Sequence, residues 1–173
     1  LLEGGEELTS ACLAYETYGT LNKEKDNAIL VFHALSGSQH AAGYRESVIE
    51  SVDQLWTEEC QIGWWDKFIG KGEVIDTSKY FVICANYLGG CYGSTGPDSI
   101  DSDSGQRYMA SFPWISFVDI VRSQMELVES FGIKNLLAVV GPSLGGLLAL
   151  TTTMLYPEKV QSIVSIASGL KLQ

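Results

Sequence analysis

Short apolar runs and longer amphipathic stretches alternate along this 173-residue chain. The run "NAILVFHAL" predicts a buried strand near 28–32, "YFVICAN" a second near 80–85, "NLLAVVG" a third near 135–140 and "VQSIVSIAS" a fourth near 160–166. Each is short, aliphatic or β-branched and bounded by turn formers, as expected of strands buried on both faces. The opening "LTSACLAYETYG" alternates more loosely and predicts one or two antiparallel strands at a sheet edge. Between the second and third runs, "SFVDIVRSQMELVESFG" repeats its apolar positions at Phe117, Ile120, Val121, Met125, Val128 and Phe131, a helical spacing. Ser116 followed by Asp119 resembles a capping box, and Gly132 suits a left-handed stop. A second helix, "LGGLLALTTTMLYPEK", ends before Pro157. Strands alternating with helices predict a mostly parallel sheet with helices on both faces.

Two stretches fall outside this rhythm. Residues 43–60 are acidic and weakly patterned, and read as a surface excursion with room for a short helix. Residues 89–113 are rich in Gly, Ser, Asp and Pro, and a loop of that length inside a domain is usually functional or mobile.

Composition narrows the function classes. A formal charge of −10, from 21 acidic and 11 basic residues, argues against a nucleic-acid or anionic-membrane surface, which needs clustered Lys and Arg. The four cysteines (Cys12, Cys60, Cys84, Cys91) have no C-x-x-C pair, so they signal neither a zinc site nor a disulfide framework, and most are expected to be buried thiols. No metal site is expected. "DSIDSDSG" has acidic spacing like a calcium loop but lacks the third acidic ligand before the glycine and a Glu at the twelfth position, which favours a solvated turn. No run approaches a membrane span and no leader pattern is present, so the expectation is a cytoplasmic protein. The chain opens on Leu rather than Met, which points to a piece of a longer translation product.

The chemistry is carried by "GPSLGG" (141–146), a G-x-S-x-G frame between a predicted strand and a predicted helix. That context makes Ser143 a candidate nucleophile on a strained turn, with the backbone N–H of Leu144 aimed at a developing oxyanion. A glycine-rich turn that only packs or binds phosphate is the other reading, and the absence of a following Lys-Ser/Thr pair disfavours phosphate. The second oxyanion donor is expected from the loop after an earlier strand, where "FHALSGS" nominates the Leu35 N–H. No histidine follows Ser143. In this fold the base follows the nucleophile in chain order, so His33 is expected to brace the oxyanion loop and His40 to line a loop or pocket wall.

Taken together, "LAYETYGTLN" (13–22), "HALSGS" (33–38), "GWWDKFIGKG" (63–72), "DTSKYFVICANYLGGCYGSTGP" (76–97), Phe112-Pro113, "DIVRSQ" (119–124) and "LLAVVGPSLGG" (136–146) resemble the homoserine O-acetyltransferase family. The resemblance implies an α/β-hydrolase fold, with residues 1–173 as a single incomplete domain that stops after the strand following the nucleophile helix. It implies acyl transfer from acetyl-CoA or succinyl-CoA to the homoserine hydroxyl on the route to methionine, with Ser143 as nucleophile and Leu35 and Leu144 as oxyanion donors. It also implies that the lid and the triad Asp and His lie beyond this chain, which alone is expected to show negligible turnover. A hydrolase of the same fold, or a non-catalytic fragment completed by another segment or by a homodimer partner, fits the same residues. The family commonly reads G-G-S-M-G-G-M-Q around the serine, whereas this chain has Pro142, Leu144, Leu147 and Leu148.

Overall fold

A computed structural model describes residues 1–45 and 56–169. Its centre is β2 (Ala28–Val31), in which all four residues are buried because the sheet continues on both sides. β5 (Phe81–Ala85) and β6 (Ala138–Pro142) flank β2 in parallel, β7 (Ile163–Ile166) extends the sheet beyond β6, and β1 (Tyr15–Tyr18) closes the other edge antiparallel to β5. The order is β1-β5-β2-β6-β7, so a single antiparallel strand supplies the predicted edge. A short parallel pair, β3 (Ile69–Gly70) with β4 (Ile75–Asp76), was not foreseen.

The period-two alternation of strands sorts side chains between two layers. Leu30, Ile83 and Val139 face α1 (Phe117–Ser130) and α2 (Leu144–Leu155), meeting Val121, Met125, Leu148 and Ala149. Leu148 is fully buried in that layer, so hydrocarbon suits the position where the resembled family carries Gln. On the opposite face, Val31, Val82, Cys84 and Val140 are covered by Ala41, Ala42, Ile69, Trp64 and Trp65. Helices were expected on both faces. Among the described residues both α-helices share one face, and the other is covered by Ala41 and Ala42 and by residues 64–75, whose tryptophans supply the apolar area a helix would otherwise bring. The 43–60 excursion lies largely outside the described residues, and its end forms a 3₁₀ turn, Glu58–Gln61.

The α1 start is as read from the sequence. Ser116 Oγ accepts from the Asp119 N–H at 3.2 Å, and the Asp119 carboxylate accepts from the Ser116 N–H at 3.0 Å. That carboxylate also accepts from the Glu3 N–H at 2.7 Å, tying the N-terminal arm to the helix. Asp119→Ala is therefore expected to lower stability by about 1–2 kcal/mol, measurable as a lower urea midpoint. Gly132, at φ +74°, ends the helix.

None of the four cysteines is in a disulfide, but only Cys84 is buried; Cys12 and Cys91 are exposed and Cys60 is half-buried. The expectation of mostly buried thiols fails because Cys12 and Cys91 sit on the N-terminal arm and the glycine-rich loop, outside the strands. Among the described residues no helix is long and apolar enough to cross a membrane.

Candidate active site

β6 runs into a sharp turn at Ser143, which has φ 54° and ψ −120° and opens α2. A non-glycine residue in this region is strained, and such strain persists only where its surroundings over-determine it. Here they do. The Ser143 N–H donates to the Ile166 carbonyl at 2.8 Å, and its own carbonyl accepts from the Gly146 N–H at 3.0 Å and from the Ser168 hydroxyl. A methyl group at Gly141 would sit 2.2 Å from the Gly145 carbonyl oxygen; one at Gly145 would sit 2.4 Å from that of Phe32 and 2.7 Å from that of His33. The turn therefore packs directly on the end of β2, and only glycine admits that approach. Ser143 is exposed, and its hydroxyl has no hydrogen-bond partner among the described residues.

Ser143, Leu35 and Leu144 line one cavity of about 490 Å³, together with Tyr87, Leu88, Phe117 and Ile120. The N–H groups of Leu35 and Leu144 have no acceptor among the described residues. Leu144 is the first residue of α2, where the helix dipole adds partial positive charge. Leu35 lies in the turn after β2, closed by the Gly37 N–H donating to the Ala34 carbonyl at 2.9 Å. The cavity wall also includes Gly89, Gly90, Cys91 and Tyr92, so the glycine-rich stretch singled out in the sequence reaches the site.

His33 lines the same cavity but is 2% exposed, and burial pushes its imidazole down to about 4, leaving the ring neutral. Its Nδ1 lies 2.7 Å from the Ala34 carbonyl oxygen, and the ring stacks on Tyr87 at 3.8 Å. It braces the loop, as anticipated. His40 stands elsewhere, lining a smaller cavity of about 140 Å³ that shares Gly37 and Tyr92 with the first. Its Nδ1 bonds to Glu16 Oε2 at 2.8 Å and its Nε2 to the Gln61 carbonyl at 3.1 Å. With an acceptor on each side, the ring is satisfied only as an imidazolium. The hydrogen bond to Glu16 raises the His40 pKa above its ordinary 6.5. Burial alone would raise Glu16, but the hydrogen bonds from His40 and Tyr18 outweigh it and hold the carboxyl below its ordinary 4.5.

The raised His40 contribution is complete below pH 6.5 and fades as pH rises through its folded value; the lowered Glu16 contribution is complete above pH 4.5 and fades as pH falls through its own. The stability lost in Glu16→Gln is thus expected to be largest between pH 4.5 and 6.5 and smaller on either side, which melting temperatures of both proteins across that range would check.

The calcium-like stretch is a turn in which Asp101 Oδ1 accepts from the Asp103 N–H at 3.1 Å. Among the described residues no group of three His, Cys, Asp or Glu side chains could hold a metal. Sequence reasoning missed Asn86 and Tyr87, which reach back beneath the Leu35 turn from the end of β5. Their signal was a polar Asn at the end of a buried apolar run.

A strained serine between a central parallel strand and a helix, over a cavity lined by the turn after an earlier strand, is the arrangement of α/β hydrolases. The alpha/beta hydrolase fold family matches residues 27–172, and this chain belongs to it. More particularly, it is similar to the homoserine O-acetyltransferase of Methanohalobium evestigatum, with 47% identity over 98% of this chain and 32% of that protein. It is also similar to that of Deferribacter desulfuricans (48%; 96% and 42%) and to the homoserine O-succinyltransferase of Magnetococcus marinus (48%; 99% and 41%). Among solved structures, homoserine O-acetyltransferase from Bacillus anthracis superposes with TM-score 0.81 at 38% identity, covering 93% of this chain and 42% of that one. An acetylester hydrolase from Corynebacterium glutamicum superposes at 0.77 and 31%, covering 99% and 42%. The chain spans between just under a third and just over two fifths of the length of these curated relatives.

Proposed function

We propose that this chain is the N-terminal part of a serine acyltransferase that moves an acyl group from acetyl-CoA or succinyl-CoA to the γ-hydroxyl of homoserine, in the cytoplasm and on the route to methionine. The observation that carries this reading is Ser143, held at φ 54° over a cavity also lined by Leu35 and Leu144, whose N–H groups have no acceptor among the described residues. The names of the relatives supply the substrate class.

Ser143 Oγ attacks the thioester carbonyl, forming a C–O bond as its proton passes to a base. The Leu35 and Leu144 N–H groups hold the tetrahedral oxyanion, each worth roughly 3–4 kcal/mol in the transition state. Collapse expels the coenzyme A thiolate, which takes a proton, and leaves an acyl-Ser143 ester. The homoserine hydroxyl then attacks that ester and regenerates the serine. The base is a histidine from the remainder of a longer chain, since His33 and His40 are both committed to other partners. β7, paired on one side only among the described residues and with Ile163, Val164 and Ile166 at 37%, 46% and 42% exposure, is the edge that remainder would extend; a second copy is the other occupant.

The similarity to an acetylester hydrolase favours a second reading in which water replaces homoserine. Coenzyme A release by a chain of the relatives' full length separates them: the transferase releases it in proportion to homoserine, the hydrolase regardless of it. For these 173 residues alone no turnover is expected with either donor; turnover abolished by Ser143→Ala would contradict the assignment of the base to the remainder of a longer chain.

A further inference from the structure

Leu35 lines the cavity and its N–H has no acceptor among the described residues, while the orientation of the Ala34–Leu35 peptide is set from the carbonyl side. The described peptides are all trans, so the Ala34 C=O and the Leu35 N–H point in opposite directions. The Ala34 carbonyl is claimed twice, by the Gly37 N–H at 2.9 Å and by His33 Nδ1 at 2.7 Å. Whether Nδ1 carries the proton is decided on the far side of the ring. Nε2 lies 3.4 Å from Asn86 Nδ2, and Asn86 Oδ1 accepts the Tyr92 N–H at 3.2 Å, so the amide presents its NH₂ to the imidazole. Nε2 is therefore the acceptor and Nδ1–H the donor. Tyr87 completes the clamp, stacking on the ring at 16° and donating its hydroxyl to the His33 carbonyl.

We propose that His33 is a positioning residue for acyl transfer: its Nδ1–H, clamped by Asn86 and Tyr87, holds the Ala34 carbonyl away from the cavity and thereby aims the Leu35 N–H at the developing oxyanion. The same hydrogen bond polarises that peptide and strengthens its N–H as a donor. His33 touches no reacting atom, and its effect appears only when negative charge grows on the substrate oxygen. The proposal rests on the reading of Ser143 as nucleophile.

The test uses a protein of the relatives' full length and follows acylation of Ser143 by acetyl-CoA with rapid quench and intact mass, alongside melting temperature. His33→Phe keeps a ring for Tyr87 and loses the donor; it should slow acylation about 100-fold at saturating donor while half-saturation moves less than about threefold. His33→Asn, whose Nδ2 can take over the bond to the Ala34 carbonyl, should recover at least about tenfold of that loss. Asn86→Leu leaves the histidine in place and frees its tautomer; it should slow acylation by about tenfold, and supplies the test if His33→Phe does not fold. Wild-type acylation rates in His33→Phe or Asn86→Leu, or equal losses in His33→Phe and His33→Asn, would overturn the proposal. Absence of acylation in the wild type would instead defeat the nucleophile reading itself, which separates the two failures.

Discussion

Replacing Ser143 with alanine in the full-length protein is expected to lower kcat by roughly 10⁴-fold or more, with the melting temperature preserved or raised. The loss is large because the serine supplies the atom that carries the acyl group, and no other nucleophile occupies its place at the N-terminus of α2. The melting temperature holds because Ser143 takes part in the fold through its backbone: its N–H and carbonyl are bonded to Ile166, Gly146 and Ser168, and its hydroxyl is bonded to nothing among the described residues. Alanine keeps all of those backbone bonds. Steady-state coenzyme A release and a thermal melt check both halves; a variant that keeps more than about a hundredth of the activity would contradict the assignment.

The second large effect is structural. In Gly145→Ala the added methyl would lie 2.4 Å from the Phe32 carbonyl oxygen and 2.7 Å from that of His33, both backbone atoms at the end of the central strand. Neither can withdraw, because the Phe32 N–H is bonded to Val140 and the His33 carbonyl is held by Tyr87. The variant is expected to lose at least about 3 kcal/mol, a large fraction of the roughly 5–15 kcal/mol that a domain of this kind has in total. Molecules that do fold should acylate slowly, since pushing the His33 carbonyl aside also turns the Leu35 peptide. A urea midpoint within experimental error of the wild type would show that the turn does not rest on β2 as described.

Much of this architecture was legible because local rules and the global fold agree. The four apolar runs became the parallel strands, although β7, expected to be buried, is exposed throughout because among the described residues it is paired on one side only; α1 begins at its capping box, and Leu35, Ser143 and Leu144 come together on one cavity. Boundaries moved where tertiary pairing overrode pattern: the third run was expected over 135–140, but β6 continues to Pro142 because β7 pairs with it there. What stayed hidden depends on contacts between residues far apart in sequence. Asn86 and Tyr87 meet His33 across 53 and 54 positions, and no periodicity connects them. The covering of the second sheet face by Trp64 and Trp65 is invisible for a related reason: irregular chain has no repeat to read, so the pattern favoured a helix that the described residues do not contain. The exposed Cys12 and Cys91 were misjudged because burial was inferred from residue type, while the backbone carrying them runs along the surface.

An acyl-Ser143 intermediate is tested most directly by a mass map of the full-length protein quenched after mixing with acetyl-CoA in the absence of homoserine. One acetyl group is expected on the peptide containing Ser143, removed when homoserine is added and absent from Ser143→Ala. Turnover without any adduct on that peptide, or an adduct that persists in Ser143→Ala, would contradict such an intermediate.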